Sequence, residues 1–310
     1  MTTRAVAMAL ALAGLLAPPP GAQEHKFRSG VDVVRVDALV TSGRHVLTGL
    51  SPSDFELRDN GVLQTIADMA LESLPLTITL VLDTSGSVAG AKMRSLASAV
   101  DLILQGLREQ DRVALVTFSH RVWQRMPLTS DIEQVRRVLT AAAAEGGTSL
   151  NDAVYAGLAL SESQESRALV LVFSDGLDNA SWMSDAIVER AARRADAVVY
   201  GVAVGAGATV TYATDRTGSR TTASPAYLRG QTAFLDSIAS ATGGRVIKAD
   251  TTKDLPTAFE EILEEFRTRY LITYSPRGVD TRGWHAIEVK VTGRHADVKA
   301  RRGYERGPGR

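Results

Sequence analysis

No cysteine occurs in these 310 residues, which excludes a disulfide framework and a lipid-modified cysteine. Neither sign of charge is in excess: Lys+Arg and Asp+Glu number 35 each, so no global field draws the chain to nucleic acid or to an anionic membrane. Nor does any stretch approach the ~20 consecutive apolar residues of a membrane-spanning helix. The apolar stretch 5–17 is too short for that; it follows Arg4 and runs into Pro18-Pro19-Pro20-Gly21-Ala22. It reads as an export signal, residues 1–22, removed after Ala22, with a retained short anchor as the alternative. The basic ending, with Lys299, Arg301, Arg302, Arg306 and Arg310, reads as a solvated tail rather than a nucleic-acid site. Hydrolase signatures are missing too. Neither Ser85 nor Ser87 sits in G-x-S-x-G, and no histidine falls where a hydrolase triad would want it. Thr84 and Ser85 stand where a phosphoryl-accepting aspartate would need a second acid. An apolar content of 45 % is enough for a real core, and the length accommodates one domain of about 200 residues with a smaller one beside it.

What is present converges on one stretch. The apolar run 76–82 ends in Asp83-Thr84-Ser85-Gly86-Ser87, and a helix-periodic segment follows Val88-Ala89-Gly90. An acid and two hydroxyls at the carboxyl end of a buried strand are hard oxygen donors where open α/β sheets bind ligands. Two later stretches carry matching oxygens: Gly146-Gly147-Thr148-Ser149-Leu150 and Phe173-Ser174-Asp175-Gly176. Taken alone, the first run reads equally well as a turn with a helix cap. Together, in this order and spacing, the three resemble the metal-ion-dependent adhesion site of the von Willebrand factor type A domain. The first matches its D-x-S-x-S, the second supplies the threonine after two glycines, and the third supplies Asp-Gly after an apolar strand.

The chain's order supports a doubly wound, mostly parallel, Rossmann-like α/β sheet over 75–268. Helical periodicity runs from Met93 to Leu107, and strands are expected at 113–118, 122–126, 168–173, 197–204 and 245–249. Helices are expected at 132–143, 151–161, 185–195, 232–241 and 255–266, with Ala141 to Ala144 read as helix. The three-residue turn Ser119-His120-Arg121 is too short for a crossover, so its two strands must be antiparallel. Counting directions brings Asp83, Ser85, Ser87, Thr148 and Asp175 to one upper face. The segment 205–230, rich in Thr, Ser and Gly, reads as a loop above that face. Residues 27–74 and 269–306 are strand-like. Asp59-Asn60-Gly61 is a hairpin signal, and Leu74-Pro75 is a linker. Both chain flanks should meet below the sheet as one small β-sandwich. Its segments 50–61, 270–276 and 301–304 resemble those flanking the type A domain in exported bacterial proteins.

The resemblance implies a non-enzymatic, exported protein-binding module. In it Asp83, Ser85, Ser87, Thr148 and Asp175 hold magnesium, with manganese or calcium as alternatives, and an Asp or Glu of a protein partner completes the coordination. Hydroxyl donors leave the ion's charge uncancelled, so it stays attractive to a partner's carboxylate. Gly86 and Gly147 fit close backbone approach, while His120 and Asp178 are candidate ligand contacts. Trp182 and Met183 read either as an apolar rim or as helix-start packing. The competing readings are a subunit of a larger envelope enzyme or transport assembly, and a metal-dependent hydrolase. No general base beside Ser85 or Ser87 favours the last.

Overall fold

The computed structural model describes residues 33–43, 45–71, 74–161, 166–174, 178–204, 211–212, 221–222, 225–249 and 251–306. The expected export segment 1–22, Asp175, most of the loop 205–230, and Arg310 lie outside them.

Leu76–Asp83 is buried at every position, so its alternating side chains feed two cores. Leu76, Ile78, Leu80 and Leu82 pack with Leu169, Leu171 and Phe173 of the strand Arg167–Ser174 under three helices: α1 (Ala91–Gln105), α2 (Ile132–Thr140) and α6 (Leu255–Arg267). On the opposite face Val81, Val170 and Val172 pack against α3 (Leu150–Leu160), α4 (Asp185–Arg194) and α5 (Pro225–Thr242). Each fully buried Leu or Val in these layers is worth about 1.5–3 kcal/mol relative to exposure, which explains why continuous apolar strands select a sheet covered on both sides. The six strands are ordered Val246–Ala249, Val198–Val204, Arg167–Ser174, Leu76–Asp83, Arg112–Phe118, Val122–Thr129. All pair in parallel except the last, which returns antiparallel through the short turn after Phe118. Connections leave the two central strands in opposite directions, so the switch point lies between the ends of Leu76–Asp83 and Arg167–Ser174.

Strands from both flanks pair across more than 200 residues. Val34–Ser42 pairs with Tyr270–Tyr274, which also pairs with Ile66–Leu71. Phe55–Asp59 pairs with Gly283–Val291, which also pairs with Gly303–Arg306. The two resulting sheets share a third apolar cluster that includes Val36, Phe55, Leu57, Tyr270, Ile272 and Ile287. Asn60 (φ 47°) and Gly61 (φ 80°) form the turn after Phe55–Asp59, both in the left-handed region that a two-residue hairpin turn of this kind requires.

Three expectations are corrected. Ala141 to Ala144 is not helix: α2 stops at Thr140 with Ala141 as its C-cap. Glu145 N–H donates to Thr84 O at 2.8 Å, and Gly86 N–H to Gly146 O at 3.0 Å; these bonds hold the segment at the sheet top against alanine's helix propensity. The helix expected from residue 232 begins at Pro225 instead, because proline suits the first helical position with its φ preset and its N–H not required. Within the described residues the basic ending is not a tail, although Lys299 and Arg302 are exposed as expected. Gly303–Arg306 is a strand, and Arg301 is buried, donating to Asp196 Oδ1 at 2.9 Å and to Arg193 O at 3.0 Å.

Candidate functional site

At the switch point the first strand ends in Asp83, which is fully buried. Its Oδ1 accepts from Ser85 N–H at 2.8 Å, a turn the aspartate forms with its own backbone two residues on. Its Oδ2 accepts from the hydroxyl of Ser174, at the end of the neighbouring strand, also at 2.8 Å. The carboxylate is thereby fixed from two sides. The next residues climb to solvent: Ser85 is buried, Gly86 and Ser87 are exposed, and the hydroxyls of Ser85 and Ser87 lie 2.9 Å apart.

The second motif is held against the first by backbone. Besides the bonds at Glu145 and Gly86, Thr84 N–H donates to Phe118 O at 2.7 Å, and Ser149 N–H donates to Ser119 O at 2.7 Å. Gly146, at φ 74°, is left-handed, and a Cβ there would fall 2.3 Å from His120 Nδ1. Glycine is therefore needed both for conformation and for space. Thr148 is buried; its N–H donates to Asn179 Oδ1 at 2.9 Å, and its carbonyl accepts from the N–H groups of Asn179 and Ala180 at 3.0 and 3.1 Å. A Cβ on Gly147 would meet Asn179 Oδ1 at 2.6 Å, whereas Gly86 has ordinary clearance at 3.5 Å from Gly146 O.

Asp83, at the end of its strand, and Ser85, Ser87 and Thr148, on loops bonded to one another, thus lie at the top of the sheet; Asp175 is outside the described residues. His120 is exposed in the turn after Phe118, with its ring over Gly146. Asp178 has its carboxylate occupied within the fold, accepting from Asn151 N–H at 2.9 Å and from Ser181 N–H and hydroxyl at 3.2 and 2.5 Å. Two supporting residues escaped the sequence reading. Ser174 had one available signal, a hydroxyl at the end of a strand adjoining Asp83's. Asn179 had none, because its role depends on a loop closing back onto Thr148.

Residues 78–196 match the von Willebrand factor type A domain. The chain carries a type A domain. It is 27 % identical over 171 residues to inter-alpha-trypsin inhibitor heavy chain H4 of Bos taurus, an alignment covering 51 % of this chain and 19 % of that protein. An uncharacterized protein of Synechocystis is 30 % identical over 132 residues, covering 40 % of this chain and 30 % of its own. Among solved structures, the von Willebrand factor type A protein from Catenulispora acidiphila superposes with a TM-score of 0.50 at 12 % identity, over 82 % of this chain and 72 % of that one. At that identity the likeness concerns the fold alone. The matched region spans the positions of Asp83, Ser85, Ser87, Thr148 and Asp175.

Proposed function

We propose that this chain is an exported, non-enzymatic binding module whose type A domain holds a divalent cation, magnesium first, with Asp83, Ser85, Ser87, Thr148 and Asp175, and offers it to a carboxylate of a protein partner. The observation that carries the reading is the Ser85–Ser87 hydroxyl pair at 2.9 Å. Octahedral magnesium with ligands at about 2.0–2.1 Å sets adjacent oxygens about 2.9–3.0 Å apart, so the pair has the spacing of two neighbouring ligands. Asp83 offers a carboxylate already held by Ser85 N–H and Ser174, and the backbone that carries the Thr148 hydroxyl is already held by Asn179. Preorganisation of this kind lowers the ordering cost of binding. When bound, the ion supplies an electrophilic centre for a partner's Asp or Glu. Neither serine hydroxyl bonds to a histidine or a carboxylate among the described residues; each bonds to the other. That arrangement lacks the base a nucleophilic serine needs. No helix of the described residues is long and apolar enough to cross a membrane. We further infer that the flanking strands close into a small β-sandwich with the type A domain inserted between its halves. Calorimetric titration with magnesium tests the site: wild-type protein should bind, and Asp83→Asn should not. Equal affinity in the two would remove Asp83 from the site and with it the reading.

A further inference from the structure

The type A domain leaves one large apolar side chain uncovered on a segment bonded to the candidate ion site. Trp182 is 95 % exposed, in a segment that is otherwise tightly fastened. Its N–H donates to both carboxylate oxygens of Asp152 at 3.1 Å, and Met183 N–H donates to Asp152 Oδ1 at 2.9 Å. Asp152 N–H donates to Ser181 Oγ, and Asn151 Nδ2 to Met183 O. Two residues earlier, Ala180 N–H reaches Thr148 O at 3.1 Å, so at most about 7 Å of chain separates Trp182 from a residue bonded to the ion-site threonine. The other two tryptophans are half-covered and carry guanidinium groups, Arg125 over Trp123 and Arg193 over Trp284. Among the described residues no ring or guanidinium packs on Trp182.

We propose that Trp182 is a docking anchor for a protein segment that pairs an acidic residue with a large apolar one one to three positions away. The proposal rests on reading Asp83, Ser85, Ser87 and Thr148 as an ion site, because the charge left on the ion is what selects the acid. An extended segment advances about 3.3 Å per residue, so an acid seated at the ion has its near neighbours within reach of the segment that carries Trp182. A tryptophan whose backbone is already immobilised loses little further entropy on contact, and tryptophan is prominent among the few side chains that dominate interfaces.

The test uses full-length protein with Trp123→Phe and Trp284→Phe, so that emission reports Trp182 alone. Three synthetic peptides serve as probes: one with Asp and a leucine two residues on, one with that leucine replaced by glycine, and one with the Asp replaced by Asn. Each is titrated in magnesium and in chelator by fluorescence, and by calorimetry against Trp182→Ala. The Asp-Leu peptide should bind with a blue shift, at least tenfold more tightly than the glycine peptide, and Trp182→Ala should erase that difference while leaving magnesium affinity unchanged. Equal affinity for the Asp-Leu and glycine peptides, or an undiminished preference in Trp182→Ala, overturns the proposal. So does the absence of binding by any peptide in either condition. A leucine preference that persists in chelator upholds the anchor and defeats the ion site instead, and a missing calorimetric signal for magnesium alone would report that second failure independently. Self-association abolished by Trp182→Ala, seen by sedimentation, would assign the indole to a second copy and overturn the partner named here.

Discussion

At the scale of single residues, burial decides how the donors behave. Asp83, expected at the upper face, is fully buried there and accepts from Ser85 N–H and the Ser174 hydroxyl. Alanine would strand Ser85 N–H and the Ser174 hydroxyl in a dry site, at a cost of about 1–3 kcal/mol for such unsatisfied groups. Asparagine keeps the shape and one acceptor, and the Ser174 hydroxyl can rotate to accept from the new amide. Asp83→Asn is therefore expected to fold with near wild-type stability and lose magnesium, whereas Asp83→Ala loses both. Urea denaturation beside calorimetry separates the two, and an Asp83→Ala variant as stable as wild type would show that the bonds at Asp83 carry no net stability. The motif oxygens were legible because each belongs to a short local pattern. Ser174 and Asn179, which hold those oxygens in place, belong to no pattern, since their bonds join residues 91 and 31 positions apart.

At the scale of elements, periodicity was legible wherever the environment was uniform. Strands buried on both faces, such as Leu76–Asp83 and Arg167–Ser174, and amphipathic helices such as α6, with Leu255, Phe259, Ile262 and Phe266 inside, declare themselves by spacing alone. The antiparallel edge strand followed from a turn too short for any alternative. What escaped was the end of α2, because four alanines signal helix and only tertiary bonds from Glu145 and Gly146 to residues 84 and 86 overrule them. The difference is measurable. Ala143 is exposed and lies outside the helix, so Ala143→Gly should shift stability by less than ~0.5 kcal/mol, against the ~1 kcal/mol expected within a helix. Chemical denaturation giving the larger loss would return the segment to α2.

At the scale of the whole molecule, buried arginines join the type A sheet to the flanking strands. Arg167, at the foot of a central strand, donates from Nε to Asp37 Oδ1 at 2.9 Å with both side chains buried. Arg269 is fully buried and bonds to Tyr200 OH, Lys299 O and Gly243 O. Removing one partner of a buried pair leaves an uncompensated charge, so Asp37→Ala should cost about 3–5 kcal/mol, and a loss under ~1 kcal/mol by urea denaturation would show the pair to be solvated. The flanks have a buried centre of their own. Asp59, from the N-terminal flank, accepts from Tyr274 OH at 2.8 Å and Tyr304 OH at 2.9 Å, and its other oxygen lies 2.8 Å from His285 Nδ1. The turn at Asp59-Asn60-Gly61 and the meeting of the flanks were readable in sequence; which side chains meet at Asp59 was not, since they arrive from more than 200 residues away. Burial first, and then the neighbouring hydroxyl and Asp59, push the Tyr274 pKa well above its usual value, and burial with Asp59 does the same at Tyr304. A folded-state pKa raised above the unfolded value of about 10 means that the folded chain holds these protons more tightly. Their contribution is then complete below about pH 10 and declines as pH rises beyond it. Tyr274→Phe should accordingly be less stable than wild type at neutral pH, by about 1.5–3 kcal/mol for a hydrogen bond to a charged group, and that gap should narrow as pH rises past about 10, where the hydroxyl ionises in the unfolded chain but not in the folded one. Urea denaturation of both proteins across that rise decides the matter: a gap that stays constant would mean that the hydroxyl does not titrate with unfolding, and that the alkaline sensitivity of the flanks lies elsewhere.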